Sequence, residues 1–203
     1  LISQMVTLPS NMFSSVTLPA TLWFFDKHKT HTAKKDEILF IDARNVFTQV
    51  DRAHRKFSDE QIKNLGIITR LYEGDTGAFK NLLAEYKKAM TVDPETSDDK
   101  EIKTKAYYQE QIDWLKERFP EGKYCDVIGL CKVAKLAGED GVRDQDYSLN
   151  AGRYVGVVIE DDGMTEQEFK EKMLVLNNEY AGLAKETTEL EKQIDKNLRE
   201  LFE

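Results

Sequence analysis

Three apolar runs crowd the first 42 residues: Leu1-Ile2-Ser3-Gln4-Met5-Val6-Thr7-Leu8, Ala20-Thr21-Leu22-Trp23-Phe24-Phe25 and Glu37-Ile38-Leu39-Phe40-Ile41-Asp42. Each is short, rich in β-branched and aromatic residues, and bounded by turn formers, which reads as strand. Strands must bury their apolar faces against neighbours, and nothing later in the chain is comparably strand-rich. The expectation is therefore the edge of a larger sheet whose remainder lies outside these residues. That bears on function, because ligand chemistry in open α/β sheets gathers at the carboxyl ends of the strands.

Past Asn45 the period changes from two to that of a helix. Ser58-Asp59-Glu60-Gln61 has the S-x-x-Q form of a capping box, and Ile62, Leu65, Ile68 and Tyr72 follow at helical spacing. Gly74-Asp75-Thr76-Gly77 breaks that run. A second helix is predicted over Ala78–Met90, with Phe79, Leu82, Leu83, Tyr86 and Met90 on one face, and a third up to about Arg118 after the polar connector 92–99. Residues 119–164 are punctuated by glycines, with short strands predicted at Leu130–Val133 and Tyr154–Ile159 and a turn at Glu160-Asp161-Asp162-Gly163. Thr165-Glu166-Gln167-Glu168 opens the last helix with another capping box. Along it Phe169, Met173, Leu176, Tyr180, Leu183, Leu190, Ile194, Leu198 and Leu201 recur as a heptad stripe, with Thr187 filling one seam position. Such a helix, roughly 55 Å long, cannot bury its stripe against itself. It either packs along its own domain or forms a coiled-coil arm for another subunit. Gly182 leaves open one rod or two hinged segments.

The chain carries a net charge of −8, which argues against a body that grips nucleic acid over its whole surface. Residues 27–56 depart from that balance, with eight Lys or Arg against four acids. The stretch is either a solvated loop or a phosphate-facing patch. Two cysteines, Cys125 and Cys131, make no disulfide framework, so a reducing cytoplasm is expected. They also lack nearby histidines to complete a zinc set of about four ligands, and no metal site is predicted. No run approaches the ~20 apolar residues of a membrane span.

Catalytic motifs are absent from the residues present. There is no G-x-G-x-x-G or G-x-x-x-x-G-K-[ST] loop, no G-x-S-x-G elbow and no H-E-x-x-H helix. His28 and His31 lie in a lysine-rich loop with no third ligand, and His54 sits among arginines. No catalytic residue is assigned in this chain.

Several segments taken together resemble a known family. Leu8-Pro9-Ser10-Asn11-Met12-Phe13, then Leu18-Pro19-Ala20-Thr21-Leu22-Trp23-Phe24-Phe25-Asp26-Lys27, are similar to a stretch of the methylation (M) subunit of type I restriction-modification systems. So are Glu37–Asn45 with Val50-Asp51-Arg52, Gly129-Leu130-Cys131-Lys132, Tyr147-Ser148-Leu149-Asn150-Ala151-Gly152-Arg153-Tyr154-Val155-Gly156, and the closing helix. The likeness covers residues 1–57 and 124–203.

The resemblance implies an α/β fold: C-terminal edge strands of a Rossmann-like methyltransferase sheet, a mostly helical region, and a long C-terminal helix. Four parts are expected: sheet strands at 1–57, a helical insertion at 58–123, an irregular segment at 124–164, and a subunit-docking helix at 165–203. The implied activity of the intact subunit is methylation of adenine N6 in duplex DNA with S-adenosylmethionine. The family's cofactor and Asn-Pro-Pro-Phe motifs are missing here, so the chain alone is expected to be inactive and to bind no cofactor. Phe13 matches the family's aromatic that faces the flipped target base, where a flat apolar surface replaces lost stacking; without the family it reads as a core aromatic plugging its loop. Lys27, Lys29, Arg44, Arg52 and Arg55 are candidates for the DNA backbone. Arg153, Tyr154 and the stripe from Phe169 to Leu198 are candidates for the specificity (S) subunit interface, with a second M subunit and the restriction (R) subunit as further partners. The rival reading is a non-enzymatic adaptor that works through its coiled-coil helix.

Overall fold

The three early runs pair with one another. The computed structural model describes residues 1–13, 16–91, 103–158 and 165–202. β1 (Ile2–Thr7), β2 (Thr21–Phe25), β3 (Glu37–Asp42) and β6 (Cys131–Lys135) form one sheet in the order β2-β1-β3-β6; a two-residue ladder, β4 (Thr48–Gln49) with β5 (Arg55–Lys56), makes a separate hairpin. β1 runs antiparallel to β2, with Met5 opposite Trp23, and parallel to β3, with Thr7 opposite Asp42. β6 closes the other side antiparallel, Ile41 opposite Cys131.

Because strand side chains alternate, this register sends Val6, Leu8, Leu39 and Ile41 to one face and Met5 and Phe40 to the other. The first face is covered by three helices: α1 (Asp59–Tyr72), α2 (Thr76–Ala89) and α3 (Lys105–Arg118). Ser58 caps α1 through the predicted box, accepting from Gln61 N while the Gln61 side chain accepts from Ser58 N. Asp75 caps α2 and Thr104 caps α3. Ile67, Ile68, Leu71, Phe79, Tyr86, Ile112, Leu115 and Phe119 merge with the strand residues into one buried cluster. The described helices of the 58–123 segment thus cover one sheet face and share its core.

The opposite face is covered by the irregular segment. Met5, Phe40 and Ala134 meet Val142, Ala151, Tyr154 and Val155 there, and the Tyr154 ring stacks on Phe40 with centroids 4.0 Å apart. Here two expectations change. The strand expected at Leu130–Val133 is displaced to Cys131–Lys135, and the strand expected from Tyr154 is a single helical turn, α4 (Gly152–Val155). The β-branched run at 155–158 signals strand by propensity, but Asn150 turns the chain by accepting from Gly152 N at 3.1 Å, and Gly156 breaks it at φ +74°. The connector 92–99 and the turn 160–163 lie outside the described residues.

Lys29 is 95 % buried, at the amino ends of β1 and β3. Its ammonium donates to the carbonyls of Ile2 (2.6 Å) and Glu37. The described residues up to 158 pack as one unit and those from 165 to 202 as a second. The second carries α5 (Glu166–Phe202), a single 37-residue helix that runs through Gly182; its capping box joins Glu168 N to Thr165 Oγ1 (3.3 Å) and Thr165 N to Glu168 Oε2 (2.7 Å).

Candidate functional site

Since β1 and β3 are parallel, both end at the same edge of the sheet, and the loops that leave them are neighbours. From β1 the chain passes through Leu8, Pro9 and Ser10 to Asn11, whose left-handed backbone (φ +62°) makes a sharp turn. Phe13 follows, bridged to Val16 and half-exposed. The β4–β5 hairpin braces this loop. Arg55 N donates to Asn11 O (2.9 Å), the Arg55 guanidinium donates to Ser10 Oγ (3.0 Å), and its carbon lies 4.0 Å from the centre of the Phe47 ring. Arg52 stands exposed at the hairpin tip, beside Asp51, which bonds the His54 ring at 2.8 Å.

From β3 the chain passes to Arg44. Buried Asp42 holds it, accepting from Nε (2.9 Å) and Nη2 (2.6 Å) and raising the guanidinium's already high pKa. The other nitrogen, Nη1, makes no hydrogen bond among the described residues. The 147–155 segment closes over this group so tightly that a Cβ on Gly152 would lie 2.7 Å from Arg44 Nη2. Between them is a cavity of about 320 Å³ lined by Met5, Thr7, Trp23, Arg44, Leu149 and Asn150, with Pro19 and Thr21 at its edge. Apart from Met5 and Thr7, the lining residues belong to segments on which the family resemblance rests. Thr7 Oγ1 is buried there with no hydrogen-bond partner among the described residues. A second cavity, about 500 Å³, lies between the helical side of β1 and β2 and α1; Leu8, Leu22, Phe24, Ile62 and Leu65 make it almost wholly apolar.

The five basic candidates separate. Lys27, Arg44 and Arg52 are exposed. Lys29 must be withdrawn as a backbone contact, because its ammonium is enclosed and bonded to strand carbonyls; burial is also the main cause of its lowered pKa. Arg55 is turned onto Ser10 and Phe47. Tyr154 likewise leaves the interface set, being buried against Phe40 with its hydroxyl donating to Ser148 O. Arg153 is exposed, and so on α5 are Phe169, Met173, Leu176, Tyr180, Leu183, Leu190, Ile194 and Leu198. Among the described residues no cluster of His, Cys, Asp or Glu is placed to hold a metal, and no helix is long and apolar enough to cross a membrane. Sequence reasoning missed the cavity. Thr7, Arg44 and Asn150 are more than 100 residues apart end to end, and only the strand pairing brings them together.

The family model for N-6 DNA methylase matches residues 1–78. The chain is 28% identical over 199 residues to the type I restriction enzyme HindI methylase subunit of Haemophilus influenzae, covering 98% of this chain and 32% of that protein. It is 27% identical over 203 residues to the MjaIX methylase subunit of Methanocaldococcus jannaschii, covering 100% of this chain and 26% of that protein. Among solved structures it is similar to the type I restriction-modification methyltransferase subunit from Streptococcus thermophilus, at 14% identity and a TM-score of 0.38, covering 77% of this chain and 21% of that one. The chain spans about a third or less of the length of the relatives it matches. On the family match and these sequence relatives, the chain is similar to the methylation subunits of type I restriction-modification systems over part of their length.

Proposed function

We propose that this chain forms the target-base side and the assembly helix of a subunit that methylates adenine N6 in duplex DNA. The observation that carries the reading is the braced loop at the carboxyl edge of the sheet, with Phe13 half-exposed and Arg52 exposed on the hairpin beside it. A base drawn out of a duplex loses its stacking, and an aromatic face recovers roughly 1–3 kcal/mol of it. The Arg55–Ser10 bond and the Arg55–Phe47 stack hold the loop without a ligand, so Phe13 needs little reordering when a base arrives. Exposed Lys27, Arg44 and Arg52 then face phosphates, with Arg44 partly offset by Asp42.

S-adenosylmethionine is the methyl donor this reading implies. The residues here do not fit it: β1 is followed by Leu8-Pro9 and β3 by Ala43-Arg44, neither a glycine-rich turn that would admit the cofactor. No step is derived through it, and the rest of a Rossmann-like sheet is expected to hold it. On α5, eight large apolar side chains are exposed in one stripe, which fits a helix that docks on a specificity subunit.

The test uses the intact subunit assembled with its specificity subunit. Phe13→Ala is expected to lower methyl transfer about 10- to 100-fold, with partial recovery on a duplex mismatched at the target adenine, where extrusion costs less. Unchanged transfer overturns the reading. Removal of residues 165–203 is expected to abolish co-purification with the specificity subunit; retained co-purification removes the role of α5.

A further inference from the structure

We propose that Arg55 and Gln49 of the β4–β5 hairpin are positioning residues for the loop that carries Phe13, with Arg55 held inward rather than reaching a phosphate. The inference rests on the methyltransferase reading for what the loop does, and on the following geometry for how it is held.

One residue grips the loop at two successive positions. The Arg55 backbone N–H donates to Asn11 O (2.9 Å), and its Nη1 donates to Ser10 Oγ (3.0 Å). The chain turns at these positions, and Asn11 takes the left-handed backbone that is uncommon outside glycine. Phe13 lies two residues on, so the direction in which its ring leaves the loop follows from that turn.

The rest of the Arg55 guanidinium is also committed. Nε donates to Gln49 Oε1 (3.2 Å), and the planar group lies over the Phe47 ring. A rigid fork can serve Ser10 and Gln49 together, which the single ammonium of a lysine does not reproduce. Arg55 is half-buried by these contacts, whereas Arg52, three residues earlier, is exposed at the hairpin tip.

Gln49 joins the tip to the fork. Its Nε2 donates to the carbonyls of Asp51 and His54 while its Oε1 accepts from Arg55. At the base of the hairpin, Thr48 Oγ1 donates to Gln61 Oε1 (3.3 Å), the oxygen that also accepts from Ser58 N in the α1 cap. The hairpin is thereby tied to α1 below and to the Phe13 loop at its middle.

The experiment uses the intact subunit with its specificity subunit and measures duplex affinity, its salt slope and single-turnover methyl transfer. Arg55→Met and Gln49→Ala are expected to keep the parent affinity and salt slope, yet to transfer methyl roughly 3- to 10-fold more slowly, the loss of one hydrogen bond. Arg55→Lys restores the charge without the fork and should stay as slow as Arg55→Met. The double variant should be no slower than Arg55→Met alone, because Gln49 acts through Arg55. In the 203-residue chain, chymotrypsin should cut after Phe13 roughly 3- to 10-fold faster in both single variants; Gln49 is exposed, so its variant leaves the core untouched.

A salt slope lowered by about 1 in Arg55→Met would make Arg55 a phosphate contact and overturn the proposal. Recovery of transfer by Arg55→Lys, or additive slowing in the double variant, also overturns it. The cleavage readout is independent of catalysis. Parent-like cleavage with the expected Phe13→Ala loss removes only the positioning role. Faster cleavage with methyl transfer unchanged in Phe13→Ala removes only the base-side reading of the loop and upholds the brace.

Discussion

Replacing Glu60 with glutamine is the sharpest test of how the helical cover is held. Glu60 lies in the first turn of α1 and is 5 % exposed. Lys103 Nζ donates to its two oxygens at 2.8 and 2.9 Å, and the Tyr107 hydroxyl stands 2.9 Å from Oε2 and 3.0 Å from Ser58 Oγ. Burial alone would raise the carboxyl's pKa. The hydrogen bonds from Lys103, the backbone and Tyr107 outweigh it, and the pKa falls below the ordinary 4.5. Breaking a buried pair costs about 3–5 kcal/mol. Lys103 keeps 22 % of its side chain exposed and can turn partly to water, so about 3 kcal/mol, the low end, is expected. For a chain of this size that is a drop in melting temperature of roughly 6–12 °C.

Near-ultraviolet circular dichroism, which reports the packed tyrosines of α2 and α3, follows the transition. A double-mutant cycle with Lys103→Met should return a coupling of about 1–3 kcal/mol. The pH dependence has a definite sign. A carboxyl whose folded pKa is depressed stabilises in full above its unfolded value and loses that contribution as pH falls through the folded one. The gap between parent and Glu60→Gln should therefore be widest near neutrality and close in acid below pH 4.5. Additive single-variant costs, or a gap that persists unchanged in acid, would refute the argument.

Four further outcomes are expected. Cys131 is buried, and burial pushes its thiol up to about 12 from 9.0, whereas Cys125 is exposed; alkylation near pH 8 followed by mass spectrometry should label Cys125 and spare Cys131, and equal rates would contradict the packing. The same raised pKa means stability present below pH 9 declines between 9 and 12 in alkaline denaturation curves. Gly152→Ala would bring a methyl to 2.7 Å from the far end of the Arg44 side chain, which is 47% exposed and can turn aside. A cost of no more than about 1 kcal/mol is expected in urea denaturation, and a larger loss would show that Asp42 holds the guanidinium rigidly. Lys29→Met should cost about 1–3 kcal/mol per abandoned carbonyl, and an unchanged melting temperature would mean water replaces the ammonium.

What could be read from the sequence was local. The capping boxes at Ser58 and Thr165 rest on four-residue patterns, and the α1, α2 and α5 periodicities on their own spacing, so no distant contact was needed to find them. The three early strands were legible for the same reason. Order within the sheet was not, because β3 finds β6 across the whole helical cover. Lys29 looked like its neighbours in a basic loop; only the two strand ends beneath it give that ammonium a reason to be buried. Tyr154 and Val155 carry strand propensity, yet a glycine at positive φ and the stacking of Tyr154 on Phe40 decide their conformation. The cavity required three such distant facts at once: the β1–β3 register, the Asp42 clasp, and the closure of the 147–155 segment.

Lys29 also bears on how the chain avoids a wrong fold. Parallel strands have no hairpin turn to set their stagger, and a slip of one residue between β1 and β3 would carry Leu39 and Ile41 off the helical side. Ile2 and Glu37 stand level, each two residues before the Gln4–Leu39 pair, and one ammonium bridges their carbonyls. In a slipped pairing those two oxygens no longer stand side by side, and the lysine is left enclosed with half its partners. The native stagger is thereby favoured at the strand ends by an ammonium whose two carbonyl partners stand together only in this alignment.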